Sequence, residues 1–175
     1  MTNYSKLLSP YQLKHLTFKN RIMSTAHAPA YALDGMPQEQ YQLYHEEKAK
    51  GGIALTMFGG SSTISPDCPA SFGQISVGEE RVVPYFQQFA ERIHRHGAKL
   101  MCQISHMGRR TRWDSGDWLT PVSASNRREY EHRSFPRPME EWDFPRILND
   151  YAKAALHCKE GNLDGVEISG SGSHL

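Results

Sequence analysis

The sequence predicts an α/β fold built on a parallel sheet, and three observations carry that prediction. Short apolar runs suited to buried strands alternate with segments whose apolar residues recur at helical spacing. Glycines close the helical segments, as they commonly do just past a helix end. The order that results is strand, helix, strand, helix, strand, helix, strand, which calls for helical crossovers between parallel strands. Two closures satisfy this order, an open doubly wound sheet and a barrel. No G-x-G-x-x-G follows an early strand, which weakens the dinucleotide-binding form of the open sheet.

The first strand is placed near residues 21–24. A helix is predicted over 38–50, after the turn Asp34-Gly35-Met36-Pro37, with Tyr41, Tyr44 and Ala49 on one face and Gly51-Gly52 as its stop. Residues 53–58 form an apolar run bounded by glycines, the pattern of a buried strand. Val83, Phe86, Phe89, Ala90 and Ile93 then fall at helical spacing, with Pro84 in the first turn and Gly97 beyond the end. Residues 99–104 are the next strand. Phe144, Ile147, Leu148, Tyr151 and Ala155 mark a further helix ending near Gly161, and residues 166–168 are the last strand.

With 175 residues, the chain suits one ordinary domain and can bury a core. Its 20 basic and 19 acidic side chains leave a net charge of +1, which makes no electrostatic case for nucleic acid or an anionic membrane as partner. No apolar run approaches the roughly 20 residues that span a bilayer. The N-terminus lacks an apolar core of the secretory kind, so the expected location is the cytoplasm. Cys68, Cys102 and Cys158 are widely spaced and form no CxxC pair, so neither a disulfide framework nor a zinc site is indicated. His94 and His96 have the spacing of a metal pair, but they sit at a helix end away from the expected active face, and no metal is assigned.

Between residues 105 and 142 lies a long stretch poor in helical pattern. It contains Arg109, Arg110, Arg112, Arg127, Arg128, Arg133 and Arg137, with Trp113 and Trp118 among them. Two readings stand: a solvated basic loop, or a lid over an anionic or zwitterionic substrate with tryptophan walls.

Three motifs occur in a fixed order: Lys19-Asn20-Arg21, then Gln103 with His106-Met107-Gly108-Arg109, then Asp164-Gly165-Val166-Glu167. Together they resemble the N-terminal half of the old yellow enzyme family of flavin oxidoreductases. The nearest branch is that of 2,4-dienoyl-CoA reductase, trimethylamine dehydrogenase and N-methylproline demethylase. The resemblance implies about four βα units of a (β/α)8 barrel, residues 1–175 forming the first part of one FMN-binding domain and the chain being a truncated form of it. It implies hydride transfer between FMN and a small-molecule substrate. A 4Fe-4S cluster and a second nucleotide cofactor would belong to the part that follows in such relatives.

The resemblance also places site residues. Ala26, His27 and Ala28 lie where the family sets backbone against the flavin ring, and Gly60 where it sets a small residue near flavin O4. Gln103 matches the glutamine that binds the pyrimidine edge, where an amide offers both a donor and an acceptor. Ser169 and Gly172 stand where enone reductases carry a carbonyl-binding pair, and neither replaces an imidazole as an oxyanion clamp. His174 corresponds to the family's proton donor and retains acid–base capacity. His106 receives no catalytic role. The missing clamp favours oxidation of an N-methyl amine or betaine-like amino acid. An NAD(P)H-dependent enoyl or dienoyl reductase and a non-catalytic half-barrel module remain as alternatives. Homo-oligomerisation is left open.

Overall fold

The computed structural model describes residues 4–112, 114, 119–131, 134–170 and 174–175. After a short helix α1 (Ser5–Leu8) the chain forms strands β1 (Tyr11–Leu13), β2 (Leu16–Phe18) and β3 (Met23–Ser24), then α2 (Glu39–Lys50) and β4 (Leu55–Thr63). It continues with α3 (Val83–His94), β5 (Lys99–Ser105), β6 (Val122–Ser123), β7 (Arg137–Pro138), α4 (Asp143–Glu160) and β8 (Gly165–Ile168).

β3, β4, β5 and β8 form one sheet in that order, and every neighbouring pair is parallel. α2, α3 and α4 are the three crossovers. Each strand therefore pairs with the next one in sequence, the order of a barrel; a doubly wound sheet reverses direction at a switch point. The fold is four parallel strands and three crossover helices of a partial (β/α)8 barrel, the closure that the resemblance implies.

Side chains alternate across this sheet. Phe58, Leu100, Cys102 and Ile104 point into the helix layer, where they join Phe86, Phe89 and Ile93 of α3 in one fully buried core. The Phe58 ring lies 5.4 Å from Phe86 and 4.9 Å from Phe89, within the range of favourable ring pairing. The opposite parity faces the barrel interior. There Met23, Leu55, Met57 and Met101 line a 360 Å³ apolar hollow together with Tyr11, Leu13 and Phe18 of the β1–β2 hairpin. That hairpin borders the strands at their N-terminal ends. Its three-residue strands are too short to carry a periodicity signal, so the sequence does not reveal it.

Two helices differ from expectation in which face they bury. α2 buries Gln42, His45 and Glu46 beside Tyr41 and Ala49, while Tyr44 is only half-buried. Polar partners inside the fold explain this, because Gln42 Nε2 donates to Pro37 O and Glu46 accepts from Arg92 and His96. On α4 the predicted stripe is rotated. Ile147, Ala154 and Cys158 are buried, whereas Phe144 is 50% and Leu148 68% exposed. The buried line is the one that meets α3, β5 and β8, and the two exposed residues lie beside it.

The polar motif residues Asn20 and Asp164 act at the N-terminal ends of the strands. Asn20 Nδ2 donates to Gly52 O and its Oδ1 accepts from Ile22 N. Asp164 accepts from Leu100 N and pairs with His94 and Lys99. Burial alone would raise the Asp164 carboxyl, but these donors hold it below its ordinary range. His96 pairs with Glu46 instead, so the two histidines serve different carboxylates.

Candidate active site

At the opposite, C-terminal ends of β3, β4 and β5 the sheet brings the predicted flavin residues together. The loop 26–28 leaves β3 and packs directly on Gly60 of β4. A Cβ at Gly60 would overlap the His27 carbonyl carbon and the Ala28 nitrogen. The backbone N–H groups of Ala26, His27 and Ala28 make no hydrogen bond to any described residue. The His27 ring points the other way, into the helix layer. Its Nε2 lies 2.8 Å from Tyr44 Oη and 3.4 Å from Lys48 Nζ. Lys48 Nζ also sits 4.4 Å above the Tyr44 ring, and burial lowers the lysine's pKa. His27 therefore offers its backbone to the site while its side chain ties the loop to α2.

β4 carries a register shift between Phe58 and Ser62, the irregularity that a Gly-Gly pair within a strand signals. Ser61 has φ +75°, a left-handed conformation uncommon for a residue with a side chain. The shift turns the Ser61 N–H toward β5, where it donates to Gln103 Oε1 at 3.1 Å. Gln103 Nε2 donates to Glu167 Oε1 at 2.6 Å. Ser61 and Glu167 join this cluster, although the sequence analysis gives neither a role. The Gly59-Gly60 bulge is the available signal for Ser61, and the parallel register of β5 and β8 is the signal for Glu167.

His174 reaches the same end of the sheet. Its Nε2 is 3.5 Å from Ser61 Oγ, and its carbonyl accepts from Ser123 Oγ at 3.5 Å. Gly108 lies directly against that carbonyl, and a Cβ there would overlap it. Ser169 extends the β5–β8 ladder by donating its N–H to Ile104 O. Gly172 lies outside the described residues.

His106 is fully buried beside this face, in a clamp that joins three segments. Its Nε2 faces Asp67 Oδ1 at 3.0 Å, and its Nδ1 accepts from Gly108 N at 3.0 Å. Arg146 of α4 reaches Asp67 Oδ2 at 2.8 Å and also pairs with Asp150. Burial alone would raise the Asp67 carboxyl, but His106, Ser65 and Arg146 hold it far below the carboxylate range. Two influences meet at His106. Burial disfavours its charged form, whereas the hydrogen bond to Asp67 favours it. The Gly108 N–H decides between them, because a proton on Nδ1 would meet that donor head on. The ring is therefore neutral and donates from Nε2.

Asp67, Cys68 and His106 gather their ligand atoms within 4.8 Å of one another, but each is already engaged: Cys68 Sγ donates to Ser65 O. The cluster is a structural clamp. Asp67→Ala is expected to destabilise the fold by about 2–4 kcal/mol, since His106 is left buried without its acceptor. Urea unfolding would measure this, and a loss below about 1 kcal/mol would remove the clamp's significance.

Several described arginines of the basic stretch have carboxylate or aromatic partners. Arg110 pairs with Glu131, Arg112 with Asp114 and Arg137 with Asp143. The Arg137 hydrogen bonds bring the Asp143 carboxyl down to about 2. Arg112 also stacks 4.7 Å over Phe72, and Arg128 4.9 Å over Phe135. These arginines stitch the loop to itself and to α4. Trp113, Trp118 and Arg133 lie outside the described residues.

Comparison with known proteins agrees with this geometry. The model of the NADH:flavin oxidoreductase / NADH oxidase family matches residues 6–175. A probable N-methylproline demethylase of Rhizobium meliloti (strain 1021) is 50% identical over 169 residues, covering 97% of this chain and 25% of the relative. A multifunctional alkene reductase/demethylase OYE of Caballeronia cordobensis is 51% identical over 169 residues, with the same coverage of 97% and 25%. Among solved structures, morphinone reductase in complex with tetrahydroNAD superimposes with a TM-score of 0.86 at 24% identity, over 97% of this chain and 50% of that one. The chain thus spans about a quarter of the length of the curated relatives it matches. The fold, the placement of the motifs along it and the family match agree, and the chain belongs to the NADH:flavin oxidoreductase / NADH oxidase family.

Proposed function

We propose that this chain forms the flavin-facing first half of the barrel domain of an FMN-dependent oxidoreductase that removes N-methyl groups from small amines or betaine-like amino acids. The observation that carries the flavin reading is the convergence of loop 26–28, Gly60 and Gln103 at the C-terminal ends of three adjacent strands. The donor set fits FMN. Backbone N–H groups of small residues stand without partners among the described residues, and Gln103 retains one N–H and one lone pair beyond its two protein contacts. When bound, FMN supplies a two-electron acceptor for hydride.

The residues of this chain hold and orient. Loop 26–28, braced by His27 on Tyr44, would present its amides to the ring system. Gln103 would bind the pyrimidine edge. His174, with Ser61 Oγ beside Nε2, is the acid–base group on this face and would hold or pass a proton there. Ser169 and Gly172 would border the substrate. Loss of hydride from an N-methyl carbon leaves an iminium ion, which water hydrolyses to formaldehyde and the demethylated amine. Resemblance to relatives named as demethylases supports this direction. The second reading, reduction of an activated alkene, draws support from the relative named for both activities.

The chain is expected to quench FMN fluorescence saturably, and Gln103→Ala to weaken that binding about tenfold. Equal binding by the variant, or none by the native chain, would end the flavin assignment. With flavin bound, anaerobic bleaching by an N-methyl amine accompanied by formaldehyde supports demethylation. Reoxidation of reduced flavin by an enone, with no bleaching by any N-methyl amine, would establish the second reading instead.

A further inference from the structure

We infer that Glu167 is a positioning residue that fixes the orientation of the Gln103 side-chain amide and, through it, the hydrogen-bond pattern presented to a flavin. The flavin half of this inference rests on the reading just proposed. β5 and β8 pair in parallel with Gln103 opposite Glu167, so the two side chains project from the same face of the sheet. The Gln103 amide lies between two fixed partners of opposite kind. The Ser61 N–H donates to Oε1 at 3.1 Å, and the Glu167 carboxylate accepts from Nε2 at 2.6 Å. Turning the amide by a half rotation would set its NH2 against the Ser61 N–H and its oxygen against the carboxylate. Both contacts would become repulsive, so a single orientation is selected.

The two partners differ in origin. The Ser61 donor belongs to the backbone and is aimed by the left-handed turn of β4. Glu167 is a side chain, and an ionised carboxylate is an acceptor only, so it gives the bracket its sense. In the selected orientation the amide keeps one N–H on the β8 side and one lone pair on the β4 side. A flavin pyrimidine edge alternates carbonyl acceptors with an N–H donor, and a fixed amide meets that alternation in one sense only. Glu167 is exposed and lies outside the hydrophobic core, so changing it leaves packing untouched.

The test uses Glu167→Leu and Glu167→Gln in the full chain. In ligand-free, 15N-labelled protein, the Gln103 side-chain amide is identified by its loss in Gln103→Ala. The native chain is expected to show one Nε2 proton shifted downfield and slowed in exchange. Glu167→Leu abolishes that signature, whereas Glu167→Gln, which still offers an acceptor oxygen, retains part of it. In FMN titration Glu167→Leu weakens binding about tenfold and Glu167→Gln no more than about threefold, with unchanged thermal midpoints. In a Gln103→Ala background Glu167→Leu has no further effect.

A native amide signature in Glu167→Leu overturns the proposal. So does a binding loss that persists in full without Gln103, because Glu167 would then act on the flavin directly. If the native chain binds no FMN, the flavin reading falls by itself, and the ligand-free amide signature still decides whether Glu167 orients Gln103.

Discussion

Acidification from pH 6.5 to 4.5 is expected to cost the folded chain about 2 kcal/mol at one side chain, His45. The residue is fully buried on α2, stacked on Tyr41 at 5.5 Å and met edge-on by Tyr44, Phe58 and Phe89. Its Nδ1 lies 2.7 Å from Thr56 Oγ1, which is itself 3.2 Å from Ser24 Oγ, while Nε2 has no partner among the described residues. A neutral ring suits this arrangement, because Nδ1 and Thr56 Oγ1 share a single hydrogen bond and no acidic group among the described residues lies against the buried ring to balance a second proton.

An imidazolium would be buried without a counter-charge. Burial, and then the nearby Lys48 and His27, push His45 from 6.5 down to about 3. The unfolded chain therefore binds this proton below pH 6.5 while the folded chain refuses it until about pH 3. Stability rises with pH across that window and is lost as pH falls through it. At about 1.4 kcal/mol per unit, and half that slope at pH 6.5 where the unfolded ring is half protonated, the two units give about 2 kcal/mol and the full window roughly 4–5. His45→Leu, of similar volume, is expected to change stability by less than about 1.5 kcal/mol at pH 7. At pH 4.5 it should exceed the native chain, which comparison of urea midpoints would reveal. Parallel pH profiles for the two proteins would mean that His45 is not the titrating group.

His45 also marks where sequence reading stops. The strand–helix order and the positions of α2, α3 and α4 were legible because burial imposes a period on apolar residues, while the choice of a barrel over an open sheet came through the resemblance. The α2 interior was not, because it is filled by His45, Gln42 and Glu46, whose burial depends on partners distant in sequence. Glu46, for example, is matched by Arg92 and His96 of the next βα unit. Phe144 and Leu148 misled in the opposite sense, since apolar character does not say which side of a helix meets its neighbours. The site divides along the same line. Gln103, Gly60 and loop 26–28 were placed through a resemblance, and the strand ends bring them together. Ser61 and Glu167 emerge only once β4 is bulged and β5 and β8 are in register, which fixes what stands opposite Gln103. Arg110, Arg112, Arg128 and Arg137 looked available in a one-dimensional reading, and their carboxylate and aromatic partners appear only in the folded loop.

Gly60→Ala is expected to destabilise the chain by about 2–4 kcal/mol and to weaken FMN binding at least tenfold. Two costs combine at this position. Gly60 has φ +52°, where a residue with a Cβ loses roughly 1–2 kcal/mol. The new methyl group would also occupy the space of the His27 carbonyl carbon and the Ala28 nitrogen, and backbone yields less readily than a side-chain tip. Overpacking of that kind costs about 1–3 kcal/mol. Two other glycines separate these costs. Gly52 has φ +95° but open space where a methyl group would stand, so Gly52→Ala isolates the backbone penalty at about 1 kcal/mol. Gly170 has neither constraint, and Gly170→Ala should fall within about 0.5 kcal/mol of the native chain. Because the overlap at Gly60 is with loop 26–28, relief requires that loop to move off β4, carrying its amides away from Gln103. Binding should therefore fall in Gly60→Ala even at temperatures where the variant is fully folded, and remain native in the other two. If Gly60→Ala and Gly52→Ala are equally stable and bind FMN alike, the packing of the loop on β4 does not shape the site.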